Sequence, residues 1–244
     1  LQLIHNPPVD TDVASLIEGN HPVQRKLAFE ELVAHHSSLC FLRDQINKQR
    51  AVNFAAPSST CAKLIANLGF ALTKAQQRVL LEINSDLSRA NPMLRLLQGD
   101  VGSGKTIVSL LAISNVIESG YQCALMAPTE ILAKQHYQLA KQIYNNLDFK
   151  IDFLTGKIEN KNKKKILNKL ITGQSNLLIG THALFQKKIT FKKLGLIIID
   201  EQHKFGVKQR FELAKKGGDN CDVLLMSATP IPRTMMMSLY GDMD

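Results

Sequence analysis

The sequence predicts an α/β fold: a parallel sheet with helices on both faces, preceded by a helical linker. Three observations carry this expectation. Short apolar runs recur at 94–97, 123–127, 151–154, 177–180, 196–199 and 223–226, broken only by Arg95 in the first and Asp152 in the third, with helix-like stretches between them. Continuous rather than alternating apolarity marks strands buried on both faces, the condition of a parallel sheet covered by crossover helices. The first run leads straight into a glycine turn and then IVSLLAISNVIES, which has the length and apolar density of a packed helix. Ahead of the sheet region, residues 23–49 contain neither glycine nor proline and carry Leu27, Phe29, Leu32, Val33, Leu39, Leu42 and Ile46, a broad helical stripe.

Composition agrees with a globular chain. Of 244 residues, 45% are hydrophobic and 21% charged, enough apolar material for a sizeable core. No run of 18 apolar residues occurs, so no membrane partner is expected. The opening LQLIHNPPVD lacks the basic start and apolar core of a signal peptide, and the absence of an initiating methionine reads as a piece of a longer protein. Cys40, Cys61, Cys123 and Cys221 form no C-x-x-C pair, which suits unpaired thiols in the cytoplasm. Eleven lysines against two acids, Asp152 and Glu159, fall between Lys150 and Lys193, and this excess equals the whole net charge of +9. Such a concentration suits a polyanion, nucleic acid first; a solvated helix face over 161–169 is the competing reading.

In chain order, Pro7, Pro8 and Gly19 make residues 1–20 an extended lead-in with a helical turn near 13–17. Asn20-His21-Pro22 starts the long helix, with Pro22 in the first turn where its missing N–H costs little. His21, His35 and His36 have no acid or cysteine at a metal-like spacing and read as surface or packing residues. Residues 57–60, PSST, break the chain and open a short helix ending near Gly69. Thr73 and Gln76 are spaced as a capping box for a helix to about Leu87. Gln76 is therefore either a cap or a base-contacting amide, and the two roles are compatible.

The chemistry centres on LRLLQGDVGSGKTIVS at 94–109. Gly99, four residues, then Gly104-Lys105-Thr106 is the G-x-x-x-x-G-K-[ST] phosphate-binding pattern. A strand, a glycine turn and a helix N-terminus aim backbone N–H groups and the helix dipole at one point, which favours anionic oxygens. A phosphate site needs a metal and a means of activating water. The run 196–199 ends in Asp200-Glu201-Gln202-His203, which places two acids at the carboxyl edge of the sheet, where open α/β sheets bind ligands. Asp200 can share Mg²⁺ with the Thr106 hydroxyl while Lys105 reaches the β and γ phosphates. Glu201 is placed to orient and deprotonate water. Ser227 and Thr229, in Met226-Ser227-Ala228-Thr229-Pro230, follow another apolar run and can bond to His203 or Asp200, or simply close a turn.

Together these segments resemble the helicases of superfamily 2. GDVGSGKT at 99–106, APTEILAKQH at 127–136, LTG at 154–156, GTHALFQ at 180–186, DEQHKFGVKQR at 200–210 and SATPIPRT at 227–234 are similar to the first helicase lobe of the RecG-type family, ATP-dependent helicases of branched DNA. Residues 5–10 and 21–36 resemble the segment that joins that family's wedge domain to its motor. The transcription-repair coupling translocases share much of this wording, but usually carry GDVGFGKT, THRLLQ and DEEQRFGV where this chain has Ser103, Ala183 with Phe185, and Gln202-His203.

The resemblance implies a RecA-like ATP-binding lobe over 57–244 and a linker over 1–56, with the wedge domain and the second lobe outside the chain. It implies ATP and Mg²⁺ as cofactors. Phe70 and Gln76 would meet the adenine, and Gly99, Gly102, Ser103, Gly104, Lys105 and Thr106 the phosphates. Thr106 and Asp200 would hold the metal, and Lys105, Asp200, Glu201 and His203 would form the catalytic set. Thr129, Gly156, Thr181 and His182 would touch the DNA backbone, and Ser227 and Thr229 would couple hydrolysis to movement. The expected protein is a bacterial, cytoplasmic monomer acting on forks and Holliday junctions. An arginine finger is worth ~10³–10⁵ in rate, so a lone first lobe is expected to show little DNA-stimulated hydrolysis. The alternatives are a double-stranded DNA translocase of the coupling type, an RNA helicase, and a nucleotide-gated nucleic-acid-binding module. Glu201 argues against the last, since a pure switch needs no water-activating acid.

Overall fold

The computed structural model describes residues 8, 13–47, 52–54, 59–156, 158–186, 188–201 and 221–229. The chain divides into two compact units, the first reaching Gln45 and the second beginning at Ile46.

The first unit is helical. Helix α1 (Val13–Ile17) is followed by α2 (Pro22–Asn47). His21 does more than occupy the surface: its Nδ1 accepts from the Val23 N–H at 3.3 Å and caps the helix, while the Gln24 amide donates to the Leu16 carbonyl at 2.9 Å. The expected apolar stripe is present but uncovered at Phe29 (66% exposed), Leu32 (62%) and Val33 (46%).

The second unit is built on six parallel strands: β1 (Leu94–Gln98), β2 (Gln122–Met126), β3 (Ile151–Leu154), β4 (Leu177–Gly180), β5 (Leu194–Ile199) and β6 (Asp222–Ser227). Their order across the sheet is β1-β6-β5-β2-β4-β3. Every apolar run named from the sequence is one of these strands, within a residue or two at its ends. The inner strands β2, β4, β5 and β6 are buried throughout, whereas the outer β1 and β3 are covered only in part, because an edge strand has a neighbour on one side alone.

Alternate residues of each strand feed two cores. The alternation is plainest in β5, where Leu196 and Ile198 face one core and Ile197 and Ile199 the other. The first core is closed by α3 (Ser59–Ala66), α4 (Lys74–Leu87), α5 (Lys105–Glu118) and α6 (Glu130–Ile143); Leu170 of α7 (Asn160–Thr172) belongs to the second. Helix α5 is buried at every residue from Val108 to Ile117. Its polar residues are therefore all bonded: Ser109 and Ser114 to carbonyls of the preceding turn, and Asn115 to Asn84 Oδ1 at 3.2 Å. Phe54 is wholly buried in the same core, edge-on to Tyr121, so the sheet unit takes in residues 52–54. Cys61, Cys123 and Cys221 are buried thiols outside any disulfide, and burial pushes all three pKa values up. They are packing residues rather than nucleophiles.

Two polar residues at strand starts fix the amino edge of the sheet. The buried Gln122 amide donates to the carbonyls of Leu170 (3.1 Å) and Ser175 (2.7 Å) and accepts from the N–H groups of Lys192 (2.8 Å) and Lys193 (3.1 Å). It ties α7, the β4 approach and the β5 approach to β2. Asp222 accepts from the Met93 N–H at 2.6 Å and joins the starts of β6 and β1.

Candidate functional site

Parallel strands end at one edge, and this edge collects the segments singled out in the sequence. The register sets Gln98 beside Ser227, Ile199 beside Met126, and Met126 and Leu154 each beside Gly180. Across the sheet the edge therefore reads as the 99–104 turn, Ser227, Asp200, Thr129, Thr181 and Gly156.

The 99–104 turn is a glycine loop closed on its own helix. Gly102 (φ +83°) and Gly104 (φ +85°) lie in the left-handed region, which L side chains reach only at a cost of about 1–2 kcal/mol. Gly104 is the N-cap of α5, so the helix begins with Lys105 and Thr106, both partly exposed. The Lys105 ammonium donates to the carbonyls of Gly99 (2.5 Å) and Asp100 (2.8 Å), which holds the cation at the loop mouth. The Gly99 N–H donates to the Ser227 carbonyl at 3.2 Å, anchoring the loop to the end of β6.

Gln76 is both cap and loop contact. Its Oε1 accepts from the Thr73 N–H (2.9 Å) and its own N–H donates to Thr73 Oγ1 (3.2 Å), a complete capping box. Its Nε2 donates to the Ser103 carbonyl at 2.8 Å. A Cβ on Gly104 would lie 2.3 Å from that Nε2, so the glycine also makes room for the amide. One N–H and one lone pair of the Gln76 amide remain for another group. Phe70, in the turn between α3 and α4, is 53% exposed.

Asp200 follows β5 and is buried, with its backbone N–H on the Met126 carbonyl at 2.8 Å. Its Oδ1 accepts from the Glu201 N–H at 3.0 Å and its Oδ2 meets His136 Nε2 at 2.7 Å. A carboxylate only accepts, so Nε2 carries the proton. Glu201, partly exposed, sits at φ +51°, alone among the described non-glycine residues in that region. Backbone strain of this kind concentrates where a side chain must be aimed. His203 lies outside the described residues.

Ser227 and Thr229 bond within their own turn, the second of the two readings offered by the sequence, and the His203 partner of the first lies outside the described residues. The buried Ser227 Oγ donates to the Thr229 carbonyl at 3.1 Å and lies 3.2 Å from Thr229 Oγ1. The Gln98 amide reaches the Thr229 carbonyl at 3.4 Å. This turn thus fastens to β1 and its loop, while Asp200 is held by His136 and by the Glu201 backbone.

On the far half of the edge, Thr129 is exposed and caps α6, its Oγ1 accepting from the Leu132 N–H at 3.3 Å. Gly156 and His182 are exposed. Thr181 is buried, its N–H 3.4 Å from the Leu154 carbonyl. The basic segment does not form one patch. Lys161, Lys164 and Lys165 are exposed in the first half of α7, and Lys163 reaches Gln186, just past the short 3₁₀ turn His182–Phe185. Lys150, Lys192 and Lys193 precede β3 and β5 at the opposite edge, and Lys169 pairs with Asp152 at 2.9 Å.

His136 is the residue that sequence reasoning missed. It sits at the end of APTEILAKQH, but 64 positions from Asp200, and no spacing rule links a helix residue to the end of a later strand.

A sequence model described as DEAD/DEAH box helicase matches residues 73–237. The chain is 44% identical over its whole length to the ATP-dependent DNA helicase RecG of Haemophilus influenzae, and equally so to that of Escherichia coli, covering 36% of each. It is 45% identical to RecG of Aquifex aeolicus over 99% of the chain and 30% of that protein. The chain thus spans about a third of the length of these relatives. Among solved structures, RecG bound to a three-way DNA junction superposes with a TM-score of 0.76 at 41% identity, covering 89% of this chain and 29% of that one. Dbp5 of Saccharomyces cerevisiae, at 18% identity and a TM-score of 0.59 over 77% of this chain and 51% of its own, shares the fold. The chain belongs to the DEAD/DEAH box helicases, and it resembles RecG from end to end.

Proposed function

We propose that residues 57–244, with the 52–54 segment packed into their core, are the ATP-binding first lobe of a helicase that couples hydrolysis to translocation on branched DNA, and that the rest of 1–56 is its helical linker. The observation that carries this reading is the convergence, at one sheet edge, of the glycine loop with Lys105, the paired acids Asp200 and Glu201, and the Thr129, Gly156 and Thr181 turns.

Backbone N–H groups of 102–106 and the α5 dipole hold the phosphates, and Lys105 trades its loop carbonyls for phosphate oxygens. Gln76 keeps the loop seated through Ser103 while offering its remaining N–H and lone pair to adenine, beside the exposed Phe70. The donor set fits Mg²⁺: a hydroxyl (Thr106) and a carboxylate (Asp200) are hard oxygens, and among the described residues no cluster of three or more acids, histidines or cysteines forms an all-protein cage. Mg²⁺, when bound, neutralises charge on the β and γ phosphates. Glu201 orients water and takes its proton, joined by His203. Ser227 and Thr229 transmit the state of the loop through Gly99 and Gln98. Thr129, Gly156, Thr181 and His182 line the DNA side, with the lysines of the first half of α7 beside them. Among the described residues no helix is long and apolar enough to cross a membrane.

The test is ATP turnover by the longer protein on forked DNA, linear duplex and RNA. Stimulation greatest on forked DNA, and lost in Glu201→Gln, is expected. Equal stimulation by linear duplex would instead favour a double-stranded translocase, and stimulation by RNA alone would overturn the DNA assignment.

A further inference from the structure

We propose that His136 is a positioning residue for the metal-holding carboxylate. The inference rests on the reading of Asp200 as the Mg²⁺ ligand.

Helix α6 buries Ala133, His136 and Ala140, an i, i+3, i+7 stripe against the sheet. Two alanines let the helix approach closely, and a leucine or methionine between them would satisfy packing alone. A buried imidazole there costs about 1–3 kcal/mol unless its polar atoms are bonded. His136 is 7% exposed, and the structure directs its Nε2–H to Asp200 Oδ2 at 2.7 Å.

The effect on Asp200 is geometric. Its backbone is pinned by the Met126 carbonyl, and its two carboxylate oxygens are fixed separately, Oδ1 by the Glu201 N–H and Oδ2 by His136. A carboxylate offers about four lone-pair directions. Two are used among the described residues, which sets the plane of the group and leaves one on each oxygen for the metal or its waters. Without His136, the carboxylate would be free to rotate about its Cβ–Cγ bond, with only the Glu201 N–H to hold it. Groups that orient a metal ligand in this way are typically worth about 10–100-fold in metal affinity.

The experiment measures binding of a fluorescent ADP analogue to the chain as Mg²⁺ is titrated, and again in EDTA. His136→Met keeps length and packing without a donor; His136→Gln keeps length and a donor. The expected result is nucleotide binding in EDTA like that of the parent in both variants. The half-saturating Mg²⁺ concentration rises about 10–100-fold in His136→Met and returns to within about threefold in His136→Gln. An unchanged Mg²⁺ requirement in His136→Met, with Asp200→Asn raising it, would overturn the role of His136. No change in Asp200→Asn would overturn the metal assignment itself, so the two failures are distinguishable. Should His136→Met not melt cooperatively, imidazole ¹⁵N spectra of the unsubstituted chain decide. An Nε2–H tautomer retained with Mg²⁺ and nucleotide bound supports the proposal, and an Nδ1–H tautomer refutes it.

Discussion

Replacing Asp222 by asparagine isolates an electrostatic cost built into the amino edge of the sheet. Asp222 is 1% exposed; its Oδ1 accepts from Met93, and its Oδ2 has no hydrogen-bond partner among the described residues. Burial raises its pKa, the Met93 bond lowers it, and the charge on Asp86 raises it, for a net value of about 7. An unfolded aspartate titrates at ~3.9. Between those values the folded chain binds a proton that the unfolded chain has released, so stability falls as pH rises from ~4 to about 7 and is flat above. From pH 5 to pH 8 the loss covers roughly two units at ~1.36 kcal/mol each, about 3 kcal/mol. The asparagine of Asp222→Asn keeps the Oδ1 acceptor and cannot ionise. Urea unfolding of both proteins at pH 5 and pH 8 is the assay. The stability difference between Asp222→Asn and the parent should move by about 3 kcal/mol in favour of the variant as pH rises. Equal pH dependence in the two proteins would refute the reasoning, whatever the absolute stabilities.

Three further substitutions probe the loop and the sheet. Gly104→Ala should cost about 2–3 kcal/mol, from the left-handed backbone and from displacing Gln76 off the Ser103 carbonyl. Because Gln76→Ala already removes that bond, the double variant should fall short of the sum by about 1 kcal/mol in a denaturant double-mutant cycle, and strict additivity would contradict the contact. Gln122→Leu leaves the Ser175 carbonyl and the Lys193 N–H without their partner, while the Lys192 N–H keeps the Leu170 carbonyl at 3.2 Å, and should cost about 2–4 kcal/mol by the same assay. A loss under ~1 kcal/mol would mean those groups find other partners.

The sheet was legible because each inner strand is a continuous apolar run, and burial on both faces leaves that mark directly in the sequence. The capping box was legible because its two residues are three apart. Contacts between distant segments were not. Gln76 to Ser103 depends on α4 packing against α5, and His136 to Asp200 on β5 lying beside β2. Gln122 and Asp222 sit at the mouths of apolar runs and look like strand ends until their partners are seen. The stripe on α2 was legible as a helical spacing. Phe29, Leu32 and Val33 have helical spacing, yet spacing records that a face can be covered without recording what covers it. Charge behaved similarly, since helix α7 carries its lysines from one sheet edge to the other and divides a sequence cluster into two surface groups.

The assignment of the 99–106 loop as an ATP site is tested most directly by equilibrium binding of a fluorescent ATP analogue with Mg²⁺ present, in the parent chain and in Lys105→Ala. Saturable binding that weakens at least ~10-fold in the variant, the loss of one charge-assisted contact to phosphate, is expected. Binding of equal strength in both proteins would contradict it.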